Sequence, residues 1–440
     1  MVIAQKMQTL KPTYRYLIWL AVPSILSSLL NNVYRLIDQY FVQWLSEAAQ
    51  AALGASTFLL FSGYSIFMLI SAGVAPFIAR YTGANDEKNV ADVMSQGLRL
   101  ATYAGIIFSL FLTIGAPWLT LSVGLQGEAA TELESYLFWL GITGTGMAFG
   151  PMLDTIWISR GNTQTPMKLQ VLSTLLNIVF NALFIFQLGY GIAGAAIASG
   201  ISRWVAVGAG FYLLQKECQL LWKPLFPVQK ILSMGFPVAS GSILYSVVYW
   251  AIMYLCISPL GDAVHVALGL GFSVLEGISY PTYAGVMMAS SSMIGRQIGA
   301  QQFSDLNATI RKGTVLSTML GGVAMMVFLF GADTICAQFT QSSDAQQQAV
   351  LYAHVLAFSQ ICVAWEAMAE GILGGAGDNK RLFWLSAPFN ILRIPLAYYF
   401  CFSLGMQAMG IWWAINITTY IKCALKWNAV RVGRWRTLEI

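Results

Sequence analysis

The stretch APFIARYTGA, residues 75–84, reappears as SSMIGRQIGA at residues 291–300, 216 positions further along the chain. The same offset separates three pairs of glycines: Gly83 and Gly299, Gly161 and Gly377, and Gly194 and Gly410. Leu53 in AALG and Leu268 in VALG are separated by one position fewer. A nearly constant offset along most of the chain indicates two copies of one structural unit.

The composition indicates an integral membrane protein. Of the 440 residues, 57% are hydrophobic and 10% are charged, whereas soluble domains carry about 25% charged residues. The basic residues are spread over the loops, so no nucleic-acid partner is expected. Six cysteines without a CxxC spacing and two histidines disfavour a disulfide framework or a metal site. The polar N-terminus lacks a signal-peptide cleavage site.

Apolar runs long enough to cross a bilayer predict an all-α polytopic protein with twelve transmembrane helices. The predicted spans are 15–43, 51–80, 94–118, 133–158, 167–187, 190–215, 231–258, 263–295, 309–332, 346–374, 382–403 and 406–428. Lys and Arg occupy every second loop and both termini, and the other loops carry only acidic charge. This distribution predicts that both termini are cytoplasmic.

The repeat divides the chain into an N-terminal six-helix lobe (1–215), a cytoplasmic linker (216–230) and a C-terminal six-helix lobe (231–440). Because six is even, the copies have the same orientation, related by a pseudo-two-fold axis along the membrane normal. Parallel repeats of this kind are typical of transporters that alternate access to a central site. No catalytic constellation, phosphate-binding loop or repeated filter element is visible, so an enzyme, an ATP-driven pump or a channel is disfavoured.

Three stretches resemble multidrug and toxic compound extrusion (MATE) transporters of the MOP superfamily, in a prokaryotic DinF-like branch. They are LLNNVYRLIDQYFVQWL in the first span, GVAPFIARYTGANDEKNV after the second, and the run from ISRGNTQTP to GIAGAAIAS through the fourth to sixth spans. The resemblance implies export of organic cations and drugs in exchange for H⁺ or Na⁺. No other cofactor is implied.

The resemblance also implies a cation-coupling site in the first lobe. Carried over to this sequence, its residues are Tyr34, Asp38, Asn177, Asn181 and Ser199. Pro23 matches a first-helix proline associated with bending.

Two positions depart from the family pattern. Asn181 replaces an aspartate and Arg35 replaces an asparagine, and both changes reduce the negative charge of the site. Arg35 and Asp38 share a helix face at i and i+3. We expect either a structural ion pair between them or an Arg35 that modulates Asp38 by changing partner during transport.

The second lobe carries further charges inside its spans, and such charges are often functional. Glu366 and Glu370 lie one turn apart in the tenth span, and Arg393 in the eleventh is placed to pair with Glu366. Glu276 lies near mid-membrane without Lys or Arg in helical reach. These four residues are candidates for a second cation or substrate site, with structural ion pairing as the alternative for Glu366 and Arg393.

The substrate cavity is expected to be apolar and aromatic, since aromatic faces attract organic cations and methionine adapts to many shapes. Candidates for its lining are Tyr245, Tyr249, Tyr280, Tyr283 and Met287. Packing or interfacial anchoring is the alternative role for each aromatic residue.

The sequence therefore predicts a secondary-active antiporter of the cytoplasmic membrane, with two lobes around a cleft shaped like an inverted V. It would lie in the lipid bilayer, act as a monomer and transport small organic compounds. The alternative is a dedicated exporter or flippase of one lipid-linked or secreted metabolite, with Arg35 and Arg393 receiving an anionic head group.

Overall fold

The computed structural model describes residues 11–123, 125–217, 226–340 and 342–440, without the side chains of Phe58, Phe61 and Ser62. Of the predicted linker 216–230, residues 218–225 lie outside the described residues. Within the described ranges the chain is helical and contains no strand.

Sixteen α-helices make up the described chain. In the first half they are α1 Tyr14–Val42, α2 Glu47–Gly83, α3 Glu87–Val123, α4 Gly127–Thr143, α5 Gly146–Ser159, α6 Gln164–Asn181 and α7 Gly191–Glu217. In the second half they are α8 Val228–Ile252, α9 Asp262–Leu270, α10 Glu276–Gly299, α11 Phe303–Phe330, α12 Ala332–Ala337, α13 Ser343–Ala357, α14 Gln360–Gly375, α15 Asn379–Tyr398 and α16 Gln407–Val432. Short π-helical segments continue several of them: Ala182–Gln187, Met253–Ile257, Gly271–Leu275 and Tyr399–Ser403.

Each of the twelve predicted spans coincides with one helical rod of the described chain. The fourth rod consists of α4 and α5, the eighth of α9 and α10, and the tenth of α13 and α14, bent by 58° between them. Eight described helical stretches are long and apolar enough to cross a membrane, and the bent pair adds a ninth. The last two rods carry Arg393, Lys422 and Lys426 along their lengths, and these charges lower their apolar character.

The duplication seen in the sequence is reproduced in the backbone. Four pairs of positions with positive φ are related by the offset of the glycine pairs: Asn85 and Gln301, Gly161 and Gly377, Gly189 and Gly405, and Gly191 and Gln407. The π-helical turns before Gly189 and Gly405 close with matching hydrogen bonds, Leu188 N to Leu183 O at 2.9 Å and Leu404 N to Tyr399 O at 3.0 Å. The two halves therefore share turn geometry as well as helix order.

The chain divides into two compact units, and both divisions fall inside a helix. The first unit comprises Met1–Ile25 and Ser240–Ile440, and the second comprises Leu26–Ala239. In α1 the division follows Pro23 by two residues, and in α8 it follows Pro237 by two residues. Proline removes a helical hydrogen bond and is a usual site of bending, so in both helices the division lies close to a site where bending is favoured.

Each unit has its own packing. In the unit Met1–Ile25 with Ser240–Ile440, the described start of the chain is fastened by Arg296, whose Nη1 donates to the Tyr16 hydroxyl at 3.1 Å. A core around Tyr352 and Trp412, with ring centroids 4.8 Å apart, fills the same unit. In the unit Leu26–Ala239, Phe67 and Phe108 pack edge to face at 5.2 Å.

Gly194 and Gly410 allow equivalent close approaches in the two units. A Cβ at Gly194 would lie 2.8 Å from the Phe184 carbonyl carbon, and one at Gly410 would lie 2.7 Å from that of Phe400. Both contacts are with backbone, which cannot move aside as a flexible side chain can.

Gly194→Ala is expected to lower the thermal unfolding midpoint in detergent, because overpacking costs about 1–3 kcal/mol. Gly410→Ala should do the same. Gly208→Ala, on the same helix as Gly194 but with no atom within 4 Å of the added Cβ, is the matched control. It should leave the midpoint unchanged or raise it slightly. Equal midpoints for all three variants would contradict the close-packing account.

Candidate functional site

A buried carboxylate on α1, Asp38, receives three hydrogen bonds from α6 and α7. The Nδ2 groups of Asn177 and Asn181 donate to Oδ1 at 2.9 and 2.8 Å, and Ser199 Oγ donates to Oδ2 at 2.8 Å. Asp38 is 8% exposed and both asparagines are 0% exposed. The structure thus brings together Asp38 and three more of the five residues that the resemblance implied.

The asparagines reach the same carboxylate oxygen because they lie one helical turn apart on α6. Asn181 Nδ2 is also 3.2 Å from Asn177 Oδ1, and Asn177 Nδ2 is 3.2 Å from Ser199 Oγ. Asn181 Oδ1 is buried without a hydrogen-bond partner in the described chain. The cluster therefore holds one unused oxygen acceptor beside a carboxylate.

Tyr34 and Arg203 border this cluster. The Tyr34 hydroxyl donates to the Ser199 carbonyl at 3.1 Å and lies 2.7 Å from Ser202 Oγ. The Arg203 guanidinium lies over the Tyr34 ring, 4.7 Å from its centroid, and donates to the Tyr64 hydroxyl at 3.2 Å. Arg203 interacts electrostatically with Asp38, so this arginine supplies the positive charge near the carboxylate.

Arg35 does not pair with Asp38, contrary to one of the two expectations. Its Nη2 donates to Asn32 Oδ1 on the same helix, and the side chain is exposed. The i and i+3 spacing permits a shared face, but the side chain turns back by one turn to an amide instead. Arg35 is thus outside the Asp38 cluster.

A second buried ionic cluster joins α14 and α16. Lys426 Nζ lies 2.6 Å from both Glu366 Oε1 and Glu370 Oε1, and Lys422 Nζ lies 3.1 Å from Glu366 Oε1. The expectation that Arg393 pairs with Glu366 is wrong, because the two lysines occupy that position. Two carboxylates and two ammonium groups balance in charge, which favours a structural clamp between the helices.

Arg393 belongs to a third cluster in the same unit. It donates from Nε to Thr418 Oγ1 at 3.0 Å and from Nη1 to the Tyr249 hydroxyl at 2.9 Å. Tyr245 packs on Tyr249 with ring centroids 4.6 Å apart. Glu276, at the start of α10 after a π-helical segment, accepts from the Tyr352 hydroxyl at 2.8 Å.

The remaining cavity candidates separate into two environments. Tyr283 is 1% exposed, donates to Gln360 Oε1 at 3.0 Å and packs with Met287 in an apolar core. Tyr280 is 49% exposed. Tyr283 therefore has a packing role in this structure and does not line an open surface.

A known family covers both halves of the chain. The model of the MatE family matches residues 23–183 and again residues 237–399. The chain belongs to the MatE family. Its members are transporters, and the second matched range follows the first at nearly the offset found in the sequence.

Curated relatives resemble the chain over nearly its full length. The chain is 26% identical to the probable multidrug resistance protein NorM of Thermotoga maritima, covering 95% of this chain and 92% of that one. It is 23% identical to the uncharacterized transporter YisQ of Bacillus subtilis, covering 91% and 89%.

Two solved structures show the same fold. A MOP superfamily transporter from Pyrococcus furiosus has a TM-score of 0.90 at 20% identity, covering 98% and 99% of the two chains. An outward-facing multidrug resistance MATE family transporter has a TM-score of 0.89 at 20% identity, covering 97% of both. These similarities confirm the expected MatE fold.

The sequence reasoning missed Arg203, Lys422 and Lys426 as members of the clusters. All three lie inside predicted spans, where any charge is a signal. The i and i+4 spacing of the two lysines also matches that of Glu366 and Glu370. Within the described residues, no group of three or more His, Cys, Asp or Glu side chains could hold a metal ion.

Glu366→Gln is expected to lower the unfolding free energy by about 3–5 kcal/mol, because it leaves Lys422 buried without its partner. Glu370→Gln, the same change one turn away on a side chain 35% exposed, should cost less. Adding Lys422→Met to Glu366→Gln should restore part of the loss. Thermal unfolding of the purified variants measures this order, and equal losses for both single variants would contradict it.

Proposed function

We propose that this MatE protein is a secondary-active antiporter that exports hydrophobic or cationic organic compounds in exchange for H⁺ or Na⁺. Two observations support multidrug efflux: the family membership and the relatives named multidrug resistance proteins. The observation that carries the coupling proposal is the Asp38 carboxylate with its three donors.

The Asp38 site combines two opposing effects. Burial among apolar helices disfavours a carboxylate charge, whereas hydrogen bonds donated to both oxygens favour it. A carboxyl group between these effects can gain or lose a cation at modest free-energy cost. This balance is what a coupling site needs, because the ion must bind and leave in each transport cycle.

The same cluster offers oxygen ligands to a metal cation. The carboxylate of Asp38 lies beside Asn181 Oδ1, which has no hydrogen-bond partner in the described chain. Oxygen donors of this type suit hard cations. The carboxylate would be neutralised in one of two ways. In Na⁺ coupling a bound Na⁺ would replace the three donated hydrogen bonds, and in H⁺ coupling Asp38 would be protonated.

Alternating access is proposed as the transport mechanism. Two helices, α1 and α8, contribute to both units, and each carries a proline two residues before the division. Bending of α1 at Pro23 would move the part of the helix that carries Asp38. Ion binding at Asp38 and the conformation of α1 would then be coupled. An inward-moving unit charge gains about 2.3 kcal/mol per 100 mV of membrane potential, so one ion can drive substantial export.

The proposed setting is the cytoplasmic membrane, with both termini in the cytoplasm as the Lys and Arg distribution favours. We propose that one chain is sufficient for transport, since each candidate cluster is complete within one unit of a single chain.

Asp38→Asn should abolish ion-coupled uptake of a fluorescent organic cation into inverted proteoliposomes, because the amide has no negative charge for H⁺ or Na⁺ to neutralise. H⁺ and Na⁺ gradients are imposed separately on the wild type to identify the coupling ion. Asp344→Asn, which changes an exposed carboxylate, is the matched control and should transport normally. Gradient-driven transport by Asp38→Asn at the wild-type rate would overturn the coupling proposal.

A further inference from the structure

Arg393 occupies the repeat-related position of Asn177, a member of the Asp38 cluster. The offset that relates the turns around Gly161 and Gly377, and around Gly189 and Gly405, also relates these two residues. It relates Ser202 to Thr418 as well. Tyr249 follows Tyr34 at an offset one position shorter, the offset that also relates Leu53 to Leu268.

The contacts follow the same correspondence. In one unit the Tyr34 hydroxyl lies 2.7 Å from Ser202 Oγ, next to the asparagine and carboxylate. In the other unit Arg393 itself joins Tyr249 and Thr418, at 2.9 and 3.0 Å. A tyrosine from the first helix of the repeat and a hydroxyl from the sixth thus belong to the cluster in both units.

The other groups of the first cluster have apolar counterparts. Asn181 and Ser199 correspond to Ala397 and Ile415, and the register that relates Tyr34 to Tyr249 places Met253 at the position of Asp38. The second unit therefore lacks the carboxylate and two of its three donors, and it has a guanidinium in place of the third.

Arg393 is 2% exposed, and it forms no ion pair in the described part of the chain. Two of its N–H groups donate to neutral hydroxyls, which leaves three of the five N–H groups of a guanidinium. Nη2 forms no hydrogen bond within the described part of the chain, which leaves both of its N–H groups for a ligand. A buried cation normally pairs with an anion because of the cost of desolvation.

Glu276 is the carboxylate to consider as that anion. Arg393 and Glu276 interact electrostatically, but they form no ion pair within 4.0 Å. Each is held by its own tyrosine, Glu276 by Tyr352 and Arg393 by Tyr249. In an apolar interior two free opposite charges would close on each other, so the tyrosines keep the guanidinium fork available.

We propose that Arg393 is a binding site for the carboxylate of the transported compound. The proposal deepens the proposed function, on which it rests, by naming a substrate class: organic compounds that carry a carboxylate. A guanidinium binds a carboxylate through two parallel hydrogen bonds. Tyr249 lies beside Arg393, and its ring and the tilted ring of Tyr245 provide an aromatic surface for the rest of such a compound.

The test uses equilibrium binding of two dyes to the purified protein, followed by fluorescence anisotropy. One dye is a rhodamine with a free carboxyl group, and the other is the methyl ester of the same rhodamine. Arg393→Gln should weaken binding of the free-acid dye roughly tenfold or more, as expected for loss of a charge-assisted pair. Binding of the ester should change less than about twofold, within the range of a neutral substitution.

Two further variants separate recognition from folding. Glu276→Gln removes the neighbouring negative charge and should leave binding of the free-acid dye unchanged or stronger. Arg35→Gln removes an exposed arginine outside the cluster and should leave the binding of both dyes unchanged. Arg393→Lys, which keeps the charge but not the planar fork, should retain part of the preference for the free acid.

Three results would overturn the proposal. The first is that Arg393→Gln weakens binding of both dyes equally while its unfolding midpoint is unchanged. The second is that Glu276→Gln weakens binding of the free-acid dye. The third is that the wild type shows no saturable binding of the free-acid dye. If Arg393→Gln does not fold, the Glu276→Gln and Arg393→Lys results decide. Efflux of the ester dye tests the proposed function separately, so failure of the anion site and failure of efflux are distinguishable.

Discussion

The constraint on which the first half of the structure depends is the burial of the Asp38 carboxylate. A charge removed from water is costly unless donors replace the lost hydration. Three donors do so here, and they come from two helices that must both approach α1. The close backbone contact at Gly194 and the π-helical end of α6 bring α6 and α7 together so that this convergence is possible.

The two halves keep one backbone plan and differ in charge. Turn geometry, π-helical ends and glycine contacts recur at nearly constant offsets, because they determine how helices pack. The buried polar positions have diverged. One half places a carboxylate among amides and hydroxyls. The other places a guanidinium beside a tyrosine and a threonine, and it has a lysine–glutamate clamp between α14 and α16. The proposed division of labour, with a cation site in one half and an anion site in the other, follows from this divergence.

Sequence reasoning predicted the parts of this account that depend on apolar length and internal repetition. All twelve rods could be predicted because a bilayer requires long apolar runs. The repeat could be read from recurring glycines: Gly161 and Gly377 have a positive φ that few other residues adopt, and Gly194 and Gly410 permit close backbone contacts. The membership of Tyr34, Asp38, Asn177, Asn181 and Ser199 in one cluster came from the family resemblance. Spacing alone does not bring residues of different helices together.

The partners of individual charges could not be predicted for the same reason. Helical spacing shows which residues share a face of one helix, but it does not give the rotation of that helix against its neighbours. Arg35 was therefore expected near Asp38, and Arg393 near Glu366, because the members of each pair lie close together along the chain. The structure instead gives those positions to Arg203 and to two lysines on α16, all of which are distant in sequence from the carboxylates concerned.

If the coupling ion neutralises Asp38, infrared difference spectroscopy of the reconstituted protein should detect the change at this carboxylate. Difference spectra are recorded on changing pH at constant Na⁺ and on adding Na⁺ at constant pH. We expect a carboxylate stretching band that responds to at least one of these changes in the wild type and is absent in Asp38→Asn. The same carboxylate difference band in both proteins would contradict this expectation.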